Sequence, residues 1–400
     1  MKKKILFIGI TMNCAGSEKS FLSFVNTLDP ERFDVDLVLA KREGLFLSQI
    51  PEWVNVFEME KYGEHFLLSG KNAVSNIWNT FIKKNPLNAL TVLPYFIKLV
   101  LNPKNRESCA TKMWIRLMKK MPKLDKKYDI AVSYWGDRTM FYMIDKVSAD
   151  KKITWLHFDY SFPKRDNDIY LPYFEKCDAI VNVSTAVDDA LKRELPSLEK
   201  KCVVIENINS TELIYKMAKS GKGFDDGFDG VRILTVGRIA DQKGYDFAIP
   251  AFARLRREGH NVRWYVLGGG DKDYVDYIKS IVQKEGVEND FVFLGTTSNP
   301  YTYLAECDIY AQPSRYEGKP ISVEEAKILR KPIFVCRYLS AEEQLENGEL
   351  GKISDIGENG VFEGLSALVS DKKLCESYSE KLGERNFSNE SEIEKFYALL

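Results

Sequence analysis

The stretch CDIYAQPSRYEGKPISVEEAKILRKPIFVC, residues 307–336, decides the fold class. CDIYAQP, 307–313, is a short apolar run closed by Pro313. Ile321 to Leu329 then reads as a helix. Pro320 suits its first turn, where a missing N–H costs little, and Pro332 forces it to stop. KPIFVC, 331–336, is a second apolar run. A strand, a helix and a strand within thirty residues make a βα crossover, which joins parallel strands.

The same alternation runs from end to end. Apolar on both faces and each followed by a helical pattern are KILFIGI (4–10), DVDLVLA (34–40), YDIAVSY (128–134), KITWLH (152–157) and DAIVNVS (178–184). A second series holds VRILTVG (231–237), VRWYVLG (262–268), DFVFLG (290–295), CDIYAQP and KPIFVC. Such runs belong to parallel strands covered by helices. Two series predict an α/β protein of two Rossmann-like, doubly wound parallel-sheet domains facing a central cleft. The first spans 1–205 and the second 206–380, with a terminal helix over 381–400 crossing back to the first. The glycine- and aspartate-rich segment SGKGFDDGFDG, 220–230, reads as a surface loop or an interdomain hinge.

The totals exclude several classes. A net charge of −1 argues against a nucleic-acid partner for the whole chain. Seven scattered cysteines without a CxxC pair write neither a zinc knuckle nor a redox motif, and they suit a reducing cytoplasm. MKKKILFIGI lacks the long apolar core of a secretory signal and reads as a buried strand. ALTVLPYFIKLVL, 89–101, contains Pro94 and Lys98 and is too short to span a bilayer. The expected location is cytoplasmic.

Residues 61–127 break the pattern. They are helical in character and carry fourteen Lys or Arg against three acids, a net of +11, so the remainder is −12. Trp78, Phe81, Phe96 and Trp114 lie among the cations. Solvated basic helix faces account for this, and so does a patch for the anionic inner face of a membrane, where each cation contributes ~1 kcal/mol.

Candidate chemistry gathers at strand ends. Glu317 lies in the loop after a strand, on the crevice side, and Gly318 permits close backbone approach. Glu325 is about one turn into the following helix, whose free N–H groups favour an anion. Two carboxylates around one anion site suit the hydroxyls on either side of a nucleotide sugar's diphosphate. In TVGRIADQKGYD, 235–246, Arg238 and Lys243 lie on a strand-to-helix loop after Gly237. Each charge-assisted hydrogen bond to a diphosphate contributes ~1.5–3 kcal/mol, so the loop could hold a leaving nucleoside diphosphate without metal. LGGGDKDY, 267–274, brings backbone close to a partner at Gly269 but lacks the dinucleotide fingerprint, and no phosphate-binding GxxxxGK[ST] loop occurs. Gly16 and Ser17 open a helix after the first strand. His157 ends a strand at the crevice, whereas His65 and His260 sit in polar settings and read as bystanders. The pairs Asp34/Asp36, Asp166/Asp168 and Asp271/Asp273 are common by chance, and Asp34/Asp36 reads as an edge-strand pattern; no metal is assigned.

Together these features resemble the retaining glycosyltransferases of family 4, with the GT-B fold, over nearly the whole chain. The E-x7-E signature from Glu317 to Glu325 carries most weight, followed by GRxxxxKG from Gly237 to Gly244, the glycine loop at 267–270 and AGSE at 15–18. ITWLHFDY and IENIN (205–209) are similar to bacterial members that build capsule, exopolysaccharide or O-antigen units. The resemblance implies that Arg238 and Lys243 bind the donor diphosphate and Glu325 the ribose. Glu317 would contact the hexose and stabilise an oxocarbenium-like transition state. His157 would sit beside donor sugar and acceptor, and Gly16 would line the cleft. It implies transfer from a UDP-sugar to a lipid-linked oligosaccharide, with retention by front-face departure and attack, and no cofactor. Two departures stand out: Ala15 replaces a common glycine, and Lys319-Pro320 replaces an aromatic and a glycine. A soluble or protein acceptor, or a non-catalytic GT-B scaffold partner, are the other readings. A nicotinamide oxidoreductase conflicts with the missing fingerprint.

Overall fold

The structure is a computed structural model that describes residues 2–13, 16–66, 75, 77–83, 85–101 and 106–400. The first domain is a seven-stranded parallel sheet. Its strands are β1 (Lys3–Gly9), β2 (Phe33–Leu39), β3 (Val54–Glu58), β4 (Lys127–Ser133), β5 (Ser148–Leu156), β6 (Ala179–Asn182) and β7 (Cys202–Val204), in the order β3-β2-β1-β4-β5-β6-β7. The second is a six-stranded parallel sheet of β8 (Val231–Val236), β9 (Val262–Leu267), β10 (Phe291–Gly295), β11 (Ile309–Gln312), β12 (Ile333–Cys336) and β13 (Lys352–Ser354), in the order β10-β9-β8-β11-β12-β13. Strand order reverses between β1 and β4 in one sheet and between β8 and β11 in the other. The loops leaving these four strands therefore border the two crevices.

Central strands are buried along most of their length. Ile5 to Ile8 in β1 and Ile333 to Cys336 in β12 have no exposed surface, which is why they read as unbroken apolar runs. The sequence reading passed over β3, β7 and β13. All three are edge strands and partly exposed, so they lack the continuous apolar signal. β3 also covers β2, so Asp34 and Asp36 do not mark an edge. Asp36 is buried and accepts from Lys126 Nζ and Tyr128 OH, each at 2.6 Å, and from Asn55 Nδ2 at 3.0 Å.

Segment 220–230 is not a hinge. Phe224 packs on Tyr265 with centroids 4.4 Å apart, and Asp226 pairs with Arg263 at 2.9 Å and Arg232 at 3.2 Å. These contacts fasten it to the second sheet. The chain crosses between domains at 205–210 and returns at 384–391, and the two crossings are tied together. Asn209 N donates to Asn389 Oδ1 at 2.9 Å, Asn389 Nδ2 to Asn207 O at 2.9 Å, and Glu206 N to Glu392 Oε2 at 3.0 Å. The range 381–400 is not one helix. It holds the end of a helix over Lys372–Gly383, an irregular run and a helix over Glu392–Ala398. The last of these puts Phe396 into the first domain's core, 5.0 Å from the Phe24 ring.

Within the basic block, His65 is core rather than bystander. Its ring stacks on Trp114 at 4.8 Å, Nε2 meets Trp114 O at 3.0 Å, and Trp114 Nε1 donates to His65 O at 2.8 Å. Phe81 is buried beside it. Trp78 is exposed. Lys71, Lys84 and Lys104, the side chains of Lys61, Phe96 and Arg106, and Ala15 of the first glycine-loop motif lie outside the described residues.

Candidate functional site

A cavity of about 320 Å³ lies between the domains. The loops after β1, β4, β8 and β11, the switch-point strands, all contribute to its walls, joined by segments after β2, β5, β7, β9 and β10. Gly16, His157, Gly237, Arg238, Lys243, Glu317, Lys319, Pro320 and Glu325 all line it. Two expected residues do not. Gly268 lines the wall in place of Gly269; a Cβ at 269 would meet Thr296 Cγ2 at 3.2 Å. Gly318 serves the first domain rather than a ligand: a Cβ there would stand 2.4 Å from His157 O.

Glu317 is the most heavily engaged group. Its Oε1 accepts from Lys243 Nζ at 2.7 Å, Ser314 Oγ at 2.7 Å and Gln312 Nε2 at 3.0 Å, and its Oε2 accepts from Gln242 Nε2 at 3.1 Å. Lys243 reaches it because the loop after β8 turns at Gly244, which has φ 69°. A side chain at 244 would be strained there and would also strike Pro313 O. Donors on this many sides orient the carboxylate before any substrate arrives. Arg238, from the same loop, is exposed at the cavity.

Glu325 sits in the helix Ile321–Ile328, with Pro320 as its N-cap rather than its first residue. The carboxylate is 2% exposed. Its Oε1 pairs with Lys19 Nζ of the first domain and accepts from Tyr301 OH at 3.0 Å. Glu324, one residue away, is buried and paired with Lys327 at 2.9 Å and Gln344 Nε2 at 2.9 Å. Lys319 pairs with Glu206 at 2.7 Å.

His157 packs its ring against Tyr134 at 4.8 Å and parallel to Trp155 at 6.4 Å. Burial pushes its imidazole down to about 3, so the ring is neutral at physiological pH. Its Nε2 is buried and, among the described residues, makes no hydrogen bond of good geometry, although the Asn207 side chain lies beside the ring. A neutral ring with such a nitrogen is suited to hydrogen-bond a hydroxyl, not to act as an imidazolium acid. Glu18, next to Lys19, accepts from Ser17 Oγ at 2.6 Å, and burial raises its carboxyl above the usual range.

Sequence reasoning missed Lys19, Trp135, Asn207, Ser322 and Thr296, all lining the cavity. Lys19 directly follows Gly16-Ser17-Glu18 on a helix start, which was a usable signal. Asn207 had none beyond the IENIN segment. It is fixed by Ser20 Oγ at 2.6 Å and donates to Lys319 O at 3.4 Å.

Residues 228–385 match the family described as glycosyl transferases group 1. Over 210 residues the chain is 27% identical to the N-acetylgalactosamine-N,N'-diacetylbacillosaminyl-diphospho-undecaprenol 4-alpha-N-acetylgalactosaminyltransferase of Campylobacter jejuni, covering 52% of this chain and 55% of that one. It thus spans about half the length of that relative. An uncharacterized glycosyltransferase of Haemophilus influenzae is 23% identical over the full length of both chains. Among solved structures, Anabaena HepE in complex with UDP and glucose superposes with a TM-score of 0.69, at 16% identity and full coverage of both chains. Staphylococcus aureus TarM, in complex with UDP and glycan ligands, gives 0.67 at 13% identity, covering 99% of each. Residues 228–385 are thus similar to the glycosyl transferases of group 1, and the two parallel-sheet domains together have the GT-B fold.

Proposed function

We propose that this protein moves a hexose or N-acetylhexosamine from a UDP-sugar to a lipid-linked oligosaccharide in bacterial surface-polysaccharide synthesis, with retention. The observation that carries this is the gathering of Arg238, Lys243, Glu317, Glu325 and His157 around one interdomain cavity. In this reading Arg238 and Lys243 take the diphosphate, aided by the N-terminus of the helix Ile321–Ile328. Glu325 holds the ribose. Glu317 faces the donor sugar and stabilises positive charge developing at its anomeric carbon, a preorganised electrostatic role. The His157 Nε2 holds a sugar hydroxyl. The acceptor hydroxyl forms the new bond to the anomeric carbon on the face from which the diphosphate leaves, and its proton passes to the departing phosphate oxygen. The cations offset the leaving group's charge, so the step as written needs no metal.

The acceptor class rests on two supports. The Campylobacter relative is named for a diphospho-undecaprenol acceptor. The helix Asn88–Leu101 also exposes Leu90, Leu93 and Ile97 on one face, next to exposed Leu87 and Trp78. Exposed Lys83 and Lys98 flank them, the pattern of an interfacial amphipathic segment. Among the described residues no helix is long and apolar enough to cross a membrane.

The test is thermal denaturation of the purified protein with UDP, GDP, ADP and their sugars, with and without EDTA. Ligand at 100 times its Kd adds ~2.7 kcal/mol. A UDP-selective shift insensitive to EDTA is expected; a shift only with GDP or ADP, or with none, overturns the donor assignment.

A further inference from the structure

Lys19 comes from the helix Gly16–Thr27 of the first domain, and Glu325 from the helix Ile321–Ile328 of the second. Their side chains are 18% and 2% exposed and form an ion pair across the cleft. Lys19 Nζ also stands 4.2 Å over the ring of Tyr301, whose hydroxyl donates to the same carboxylate oxygen. If Glu325 is to receive ribose hydroxyls, this pair must open. Removing one member of a buried pair strands the other charge, which is strongly unfavourable unless a new partner takes it. Lys19 shares the cavity with Arg238, Lys243 and Gly16, so a diphosphate bound there offers the charge that Glu325 gives up.

We propose that donor binding exchanges partners: ribose hydroxyls take Glu325 and the diphosphate takes Lys19, so that ribose recognition and charge neutralisation occur as one event. This rests on the donor reading above and deepens it. Lys19 is then a specificity-determining residue. A nucleoside must break the Lys19–Glu325 pair with nothing to offer the lysine, whereas a nucleoside diphosphate replaces the pair with a charge-assisted contact. The exchange also links the domains to the donor, because the lysine belongs to one and the carboxylate to the other.

The experiment is calorimetric titration of uridine and of UDP into wild type and Lys19→Met. The variant lacks the competitor for Glu325 and the extra cation for the diphosphate. Uridine is expected to bind at least threefold tighter and UDP at least fivefold weaker. Opposite signs are the diagnostic, since general damage to the site weakens both ligands. If Lys19→Met does not fold, Lys19→Gln carries the same pair of titrations. Shifts in one direction, or none, with normal wild-type UDP binding overturn the exchange and leave the donor reading intact. If wild type binds none of UDP, GDP or ADP, the donor reading fails and the exchange with it.

Discussion

Lys243 Nζ lies 2.7 Å from Glu317 Oε1, so the cation proposed for the diphosphate and the carboxylate proposed for the donor sugar are paired with each other. They come from the loops after β8 and β11, the two strands that flank the second sheet's switch point. The pair presets both side chains. It also gives each a structural role beside any chemical one.

Glu317→Ala is therefore expected to act twice. Turnover should fall by about 10²-fold or more, the scale of losing a preorganised electrostatic group. Stability should also fall, by about 1–3 kcal/mol, because the half-buried Lys243 is left without its partner. Initial rates and denaturant midpoints read the two effects separately. Wild-type turnover in a destabilised variant would remove Glu317 from the reaction.

Gly318→Ala addresses the contact between domains. The new methyl would stand 2.4 Å from His157 O and 3.0 Å from Phe158 N, and neither backbone atom can move aside cheaply. Strain of about 1–3 kcal/mol should be relieved by parting the domains. At least tenfold lower kcat/KM with an unchanged far-ultraviolet spectrum is the expected result. Full activity would show that this closed contact is dispensable.

Glu343 makes a second bridge. Its carboxylate accepts from Thr185 N at 3.2 Å and Ala186 N at 2.8 Å, at the start of the helix Thr185–Glu194 in the other domain. Capping interactions of this kind contribute about 0.5–2 kcal/mol, here to closure. Glu343→Ala should raise the radius of gyration in solution scattering and weaken UDP binding up to about tenfold. An unchanged radius together with unchanged affinity would mean that the cap does not hold the cleft.

Buried His65 and half-buried His157 set a pH dependence. Burial holds both His65 and His157 down to about 3, below the value near 6.5 of an unfolded chain. Between these values the unfolded state binds protons that the folded state does not, so stability rises with pH. It should be greatest above about pH 6.5 and fall progressively towards pH 3. Urea denaturation at pH 7.5 and 5.0 should show a smaller loss in His157→Phe than in wild type. An equal loss in both would place the acid sensitivity elsewhere.

The exposed stripe on the helix Asn88–Leu101 predicts membrane attachment. Leu90→Glu with Leu93→Glu should lower co-sedimentation with vesicles containing anionic lipid by at least fivefold. The unfolding midpoint should stay within a degree or two, since both side chains are exposed. Equal sedimentation of variant and wild type would disconnect the stripe from membranes.

The sequence by itself determined the two parallel α/β units, because a strand buried on both faces must be apolar throughout. β12 satisfies that condition along its whole length, and β1 from Ile5 to Gly9, while β4, β8 and β11 satisfy it over most of their buried residues. It also placed Glu317 in a loop and Glu325 in a helix, since Pro313, Pro320 and Pro332 punctuate the backbone locally. Edge strands β3, β7 and β13 were illegible for the converse reason: one side of each meets water or a loop. Only the tertiary structure decided who pairs with whom. Lys19 meets Glu325, Gly318 meets the His157 carbonyl, and Glu343 caps a helix of the other domain. It also showed that segment 220–230 is clamped to the second sheet by Asp226 while the true crossings lie at 205–210 and 384–391. The partners that join the two domains lie about 150 to 300 residues apart, and no local periodicity records them. They meet because two separately legible sheets turn their switch points towards the same cleft.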